Sequence, residues 1–154
     1  LMALSSATAI LDSALPERAP CPGLFEKLEA LIESFGRAGW QVSYVRWELD
    51  LLAELGFGLD LKECAATGSD QDLIYVSPRT GRAISAGAGR DYHDRLLGLP
   101  RFLREDTDAD ISGAILFEGL ELTGYFLERH VLGDTRYGLP AARERLAASL
   151  RGKE

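Results

Sequence analysis

Apolar residues recur at helical spacing along most of the chain, and the breaks in that pattern fall at glycine or proline. Residues 1–15 are rich in Ala and Leu and run into Pro16, which cannot continue a helix, so a first helix is expected there. Pro20 and Pro22 punctuate a loop. Leu24, Leu28, Leu31, Ile32 and Phe35 then step by three and four residues up to Gly36, which marks a second amphipathic helix. A third helix, from about Trp40 to Leu55, places Tyr44, Trp47, Leu51, Leu52 and Leu55 on a wide apolar arc, with Ser43, Arg46, Asp50 and Glu54 opposite. The helical period stops after Gly56. Between Cys64 and Asp72 only turn formers appear, and Leu73, Tyr75 and Ser77 then alternate with Ile74 and Val76 ahead of Pro78.

Arg79, Thr80 and Gly81 form a turn from which Ala83, Ile84 and Ser85 return, giving a small hairpin. Gly87 and Gly89 suit a loop, and Tyr92 to Leu97 and Pro100 to Leu103 read as short helical pieces. Asp106, Asp108 and Asp110 make an acidic start to a long helix running toward Leu132, because carboxylates are favoured beside the free amides of a helix N-terminus. Its stripe is Leu116, Leu120, Thr123, Leu127 and Val131, with Gly119 and Gly124 where another helix packs closely. Pro140 suits the first turn of a final helix carrying Ala142, Leu146 and Leu150 inward. The fold class expected is mainly α: a compact helical domain over 1–154, with a hairpin and loop insertion at 63–91.

Composition narrows the function. With 154 residues, 46% of them apolar and 27% charged, the chain can form a core without staples. No apolar run approaches the ~20 residues of a membrane span, and no signal peptide is visible, so the expected location is the cytoplasm and no membrane partner is expected. Two cysteines far apart, Cys21 and Cys64, give no disulfide framework. Seventeen Lys and Arg against 24 Asp and Glu leave a net charge of −7, which opposes a strong nucleic-acid face on this chain by itself.

Residues 46–68, RWELDLLAELGFGLDLKECAATG, carry the most specific signal. An aromatic-Glu pair, then Leu-Gly-aromatic, then a Cys-Ala-x-x-Gly turn leading into a hairpin resembles the bacterial DNA repair protein family RecO, over its helical and C-terminal region. The resemblance implies a recombination mediator that acts by binding. Its implied partners are the acidic, Phe-ending tail of single-stranded-DNA-binding protein, RecR for RecA loading and strand annealing, and DNA mainly through an N-terminal OB-fold absent from this sequence. The location it implies is nucleoid-associated. In that family the hairpin often binds zinc through paired cysteines. Here the matching positions are Cys64, Thr67, Ser85 and Ala88, so the expectation is a degenerate zinc-ribbon-like hairpin without metal, and no cofactor.

Glu48 falls inside the apolar arc of the third helix at about 100° per residue, and a buried carboxylate needs partners. It is expected to be a structural clamp, accepting bonds from an arginine or from backbone amides. Arg46 lies on the polar stripe. It is either the cation that receives the tail carboxylate, as the resemblance implies, or half of an i,i+4 pair with Asp50; Arg129 and Arg143 are the other candidate anchors. The alternative of another class is a small Cys-dependent hydrolase with Cys64 as nucleophile and His93 or His130 as base. Neither histidine sits in a recognisable motif, and no catalytic residue is assigned.

Overall fold

Aromatic and leucine side chains on one arc of α3 (Trp40–Glu54) draw the other helices around it in the computed structural model, which describes residues 2–15, 21–105, 111–133 and 138–152. Tyr44, Val45, Trp47, Glu48, Leu51 and Leu52 of α3 are all buried. One side of α3 packs on α2 (Pro22–Ser34) through Leu24 and Leu31, and another on α5 (Gly113–Phe126). The close approach to α5 depends on Gly119. A Cβ there would lie 2.8 Å from the Phe102 ring and 3.1 Å from Val45. Helix α1 (Met2–Ala14) presents the small residues Ala3, Ser6 and Ala7 with Ile10, and that smooth face packs on α6 (Ala141–Arg151).

Three short antiparallel strands stand beside this body in the order β2–β1–β3. Strands β1 (Leu73–Val76) and β2 (Ala83–Ser85) form the hairpin, with Val76 opposite Ala83 and a bulge between Leu73 and Tyr75. Strand β3 (Leu97–Gly98) pairs its Leu97 with Val76. Asp60 extends the free side of β2, since its carbonyl accepts the Ala83 amide at 2.9 Å and its own amide donates to Gly81 at 3.0 Å.

The mainly helical architecture with a small hairpin is as the sequence pattern indicates, and four local readings change. Pro22 does not precede a helix but opens α2, where its missing N–H costs nothing. Residues Ala86–Gly89 form a helical turn (α4), because the Ser85 hydroxyl accepts the Ala88 amide as an N-cap. Arg90–Arg95 is a 3-10 turn, but Leu97 belongs to β3. Helix α5 starts at Gly113 under a Ser112 cap whose hydroxyl accepts from Ile115, and after Phe126 it widens into a π turn over Leu127–Val131. The acidic stretch 106–110 and Pro16 lie outside the described residues. Among the described residues, no helix is long and apolar enough to cross a membrane.

Candidate functional site

Glu48 has no exposed surface, and its partners come from two other helices. Arg143 of α6 donates from Nε to Glu48 Oε2 at 2.6 Å and from Nη2 to Oε1 at 2.8 Å, a bidentate pair. Thr123 of α5 donates its hydroxyl to Oε1 at 2.6 Å, and Arg143 Nη2 also donates to the Leu120 carbonyl at 2.7 Å. Gly124 makes room for the guanidinium, whose Nη2 would be 3.2 Å from a Cβ there. Burial works against the charge of Arg143, but the adjacent Glu48 carboxylate overcomes it and holds the guanidinium protonated. Tyr44, one turn before Glu48, shares its hydroxyl with Ser6 of α1 at 2.5 Å. Burial, and then the Glu48 charge, push the Tyr44 phenol far above its usual range, so it stays protonated.

This network ties α1, α3, α5 and α6 into one unit and leaves part of Arg143 uncommitted. Nη1 has no acceptor among the described residues, and it is not sealed from solvent. Arg143 lies in the floor of a groove of about 570 Å³ between α5 and α6, walled by Phe117, Tyr125, Leu139 and Ala147. Two further arginines flank it. Arg129 lies over the Tyr125 ring at 5.9 Å and donates to its hydroxyl at 2.9 Å, while Arg151 lies over the Phe117 ring at 5.5 Å. Glu121, Glu128 and Glu144 also line the groove, so both signs of charge border its apolar side chains.

The three candidate anchors therefore do not converge. Arg143 lines the α5–α6 groove and Arg129 sits beside it on Tyr125, whereas Arg46 lines a separate surface between α2 and α3. Arg46 donates from Nε and Nη2 to the Phe102 carbonyl at 3.1 and 2.8 Å, and from Nη2 to the Glu105 carbonyl at 3.1 Å. Asp50, its possible i,i+4 partner, lies 3.8 Å from Lys27 of α2 instead. Arg151 was not singled out by sequence. Its helical phase relative to Arg143, eight residues on, was the available signal, since positions eight apart lie about 80° from each other and can share one broad face.

Cys64 sits in the turn before the hairpin with 1% of its surface exposed. Its sulfur accepts the Ser85 amide at 3.3 Å. Burial works to raise the thiol, but hydrogen bonds from Thr67, Ser85 and the Ala66 backbone favour the thiolate and bring it down to about 6. Thus Thr67 and Ser85 do stand next to Cys64, as hydrogen-bond partners. Neither histidine is among its partners: His93 Nδ1 contacts the Arg90 carbonyl at 3.0 Å, and His130 stacks on Phe57 and Phe126. No cluster of three or more His, Cys, Asp or Glu able to hold a metal occurs among the described residues.

Comparison with known proteins supplies a family. The model for the recombination protein O C-terminal region matches residues 1–136. A DNA repair protein RecO from Rhodospirillum centenum is 52% identical over 147 residues, covering 94% of this chain and 58% of that protein. Proteins of the same name from Caulobacter vibrioides and Rhodospirillum rubrum are 51% and 45% identical, with 93% and 98% of this chain covered and 59% and 62% of theirs. The chain thus spans about three-fifths of the length of these relatives. No solved structure matches it.

Proposed function

The chain belongs to the recombination protein O C-terminal family, and from that premise we propose that it is the helical part of a recombination mediator in DNA repair that works by binding, not covalent catalysis. Its part in that work is to receive the acidic, Phe-ending tail of single-stranded-DNA-binding protein, in support of RecR and RecA loading and strand annealing. The observation that carries this reading is the α5–α6 groove, which is lined by apolar side chains together with Arg143 and Arg151, with Arg129 beside it on Tyr125. A terminal phenylalanine needs an apolar slot, and its carboxylate needs a paired donor that is already desolvated. With Nε and Nη2 held by Glu48 and Leu120, Arg143 offers the one remaining nitrogen, Nη1, without having to be ordered, and the second contact to the carboxylate falls to Arg129 or Arg151.

Fluorescence anisotropy with a labelled peptide ending in acidic residues and Phe tests the proposal. Binding is expected to weaken with salt, to fall at least about tenfold when the terminal Phe is deleted, and to fall comparably in Arg129→Glu or Arg151→Glu. Arg46→Glu is the discriminating control. Loss of binding in that variant alone would move the tail to the α2–α3 surface around Lys27 and Trp47.

A further inference from the structure

A second site stands apart from the groove, at the end of α3. The helix closes in a Schellman arrangement, with Gly56 at φ 91° donating to the Ala53 carbonyl at 3.1 Å and Phe57 donating to the Leu52 carbonyl at 2.8 Å. The apolar residue at the position of Phe57 commonly folds back onto its own helix in this motif. Here it turns outward and stacks on His130, with ring centroids 5.2 Å apart and planes within 13°. The His130 ring is in turn nearly parallel to Phe126, at 6.0 Å and 11°. The π turn is what places it there: the Leu132 amide reaches back five residues to the Leu127 carbonyl at 2.8 Å, shifting the phase of the helix end.

A column of flat rings therefore starts at buried Phe126 and ends at Phe57, which is 41% exposed. Beside it the hairpin turn, held by Gly81 at φ 69°, presents exposed Arg79 and Thr80 to the same cleft of about 240 Å³. The charge of this cleft is unlike that of the chain. Its lining contains Arg79 and His130 and no carboxylate, on a protein of net charge −7, whereas acids line the α5–α6 groove and the α2–α3 surface.

We propose that the outer face of Phe57 is a stacking site for one unpaired nucleotide of a single strand, the base extending the ring column and Arg79 facing the phosphate. Any base has a flat face, so stacking takes all four without reading sequence, and a base paired within a duplex cannot offer that face. The site is independent of the tail groove and adds a nucleic-acid contact within this chain.

The test uses this chain with an oligothymidylate carrying one 5-iodouracil for photocrosslinking, alongside anisotropy of a labelled copy. The crosslink is expected to map to the peptide containing Phe57. Phe57→Ala should weaken binding about tenfold while Phe57→Trp keeps it; Arg79→Glu should weaken it and flatten the salt dependence. Tail-peptide binding should be unchanged in all three variants, which separates this site from the groove. Wild-type affinity in Phe57→Ala, a crosslink mapping elsewhere, or equal competition by a hairpin duplex would overturn the proposal. Competition by thymidine monophosphate as strong as that by the strand would overturn the assignment to a strand and make the ligand a free nucleotide.

Discussion

In the helical body a carboxylate and a guanidinium are buried together, whereas in the hairpin region a single buried thiol accepts a backbone amide. Both interiors satisfy their polar atoms, and no buried side-chain nitrogen or oxygen among the described residues lacks a partner. The cost of failure differs. A buried ion pair needs each member because the other is charged, so it makes α3, α5 and α6 depend on one another. The hairpin is closed by main-chain bonds of Asp60 and Ala65 to Gly81 and Ala83, which survive most changes of side chain. The proposed functions follow the same division, with the tail peptide assigned to the α5–α6 groove beside the rigid pair and the single strand to the cleft beside the hairpin turn.

The largest expected break is therefore Glu48→Ala. It would leave Arg143 charged, 2% exposed and without its carboxylate, and should cost about 3–5 kcal/mol, a fall in Tm of roughly 10 °C. Glu54→Ala on the same helix removes only a partly exposed contact to Lys27 at 3.6 Å and should cost less than about 1 kcal/mol. Urea melts of the two variants make the comparison directly. Replacing Glu48 and Arg143 together with Leu should cost much less than Glu48→Ala, because no orphaned charge remains. If the double variant is as unstable as the single one, packing around the pair matters more than its charge.

Next in size is Gly119→Ala. The new methyl would press on the Phe102 ring and Val45, both buried, and should cost about 1–3 kcal/mol, while Gly36→Ala, with nothing within 4 Å, should be near neutral. Thermal melts that fail to separate these two would show that the α3–α5 contact can open without penalty.

These positions also show what the sequence could disclose. The 3.6-residue period located α2, α3 and α5, and it placed Glu48 among apolar neighbours, because burial repeats with the helix. It could not name Arg143 as the partner, since 95 residues separate them and the pairing depends on how α5 and α6 cross. Arg143 stood instead among the candidate anchors for the tail carboxylate. Strand β3 was illegible for a related reason: two residues have no period, and Leu97–Gly98 becomes a strand only because Tyr75 and Val76 have a free edge. The groove was invisible as a unit, although Arg129 and Arg143 were candidates, because Arg151 and Phe117 join it only after packing. The Phe57–His130 column needs a π turn, which no residue pattern marks.

On the hairpin side the effects should be smaller, and one depends on pH. The folded Cys64 thiol titrates near 6 against 9.0 for the ordinary group, so its contribution to stability is present above pH 9 and is lost as pH falls through 6. Relative to Cys64→Ala, the wild-type protein should therefore gain stability between pH 6 and 9. Because one group titrates, the slope cannot exceed one full proton, about 1.4 kcal/mol per pH unit. A parallel pair of Tm–pH curves would mean that the amides around the sulfur do not favour the thiolate. Labelling by a bulky thiol reagent should still be slow in the folded state, because access and ionisation are separate requirements.

The smallest expected effect is none at all. A structural zinc needs four donors in a tetrahedron, and the four hairpin positions hold one thiol, two hydroxyl side chains and an alanine: Cys64, Thr67, Ser85 and Ala88. Of these, the Ser85 hydroxyl already caps α4 through the Ala88 amide at 3.3 Å, and the Ser85 amide already donates to the sulfur. A strong chelator should therefore leave the Tm unchanged, and elemental analysis should find well under one zinc per chain. The comparison sharpens if chelator is added to Glu48→Ala, where a destabilised body would make any weak metal contribution easier to detect. A chelator-dependent Tm in either protein would mean that the hairpin recruits donors beyond these four and is not closed by its main chain alone.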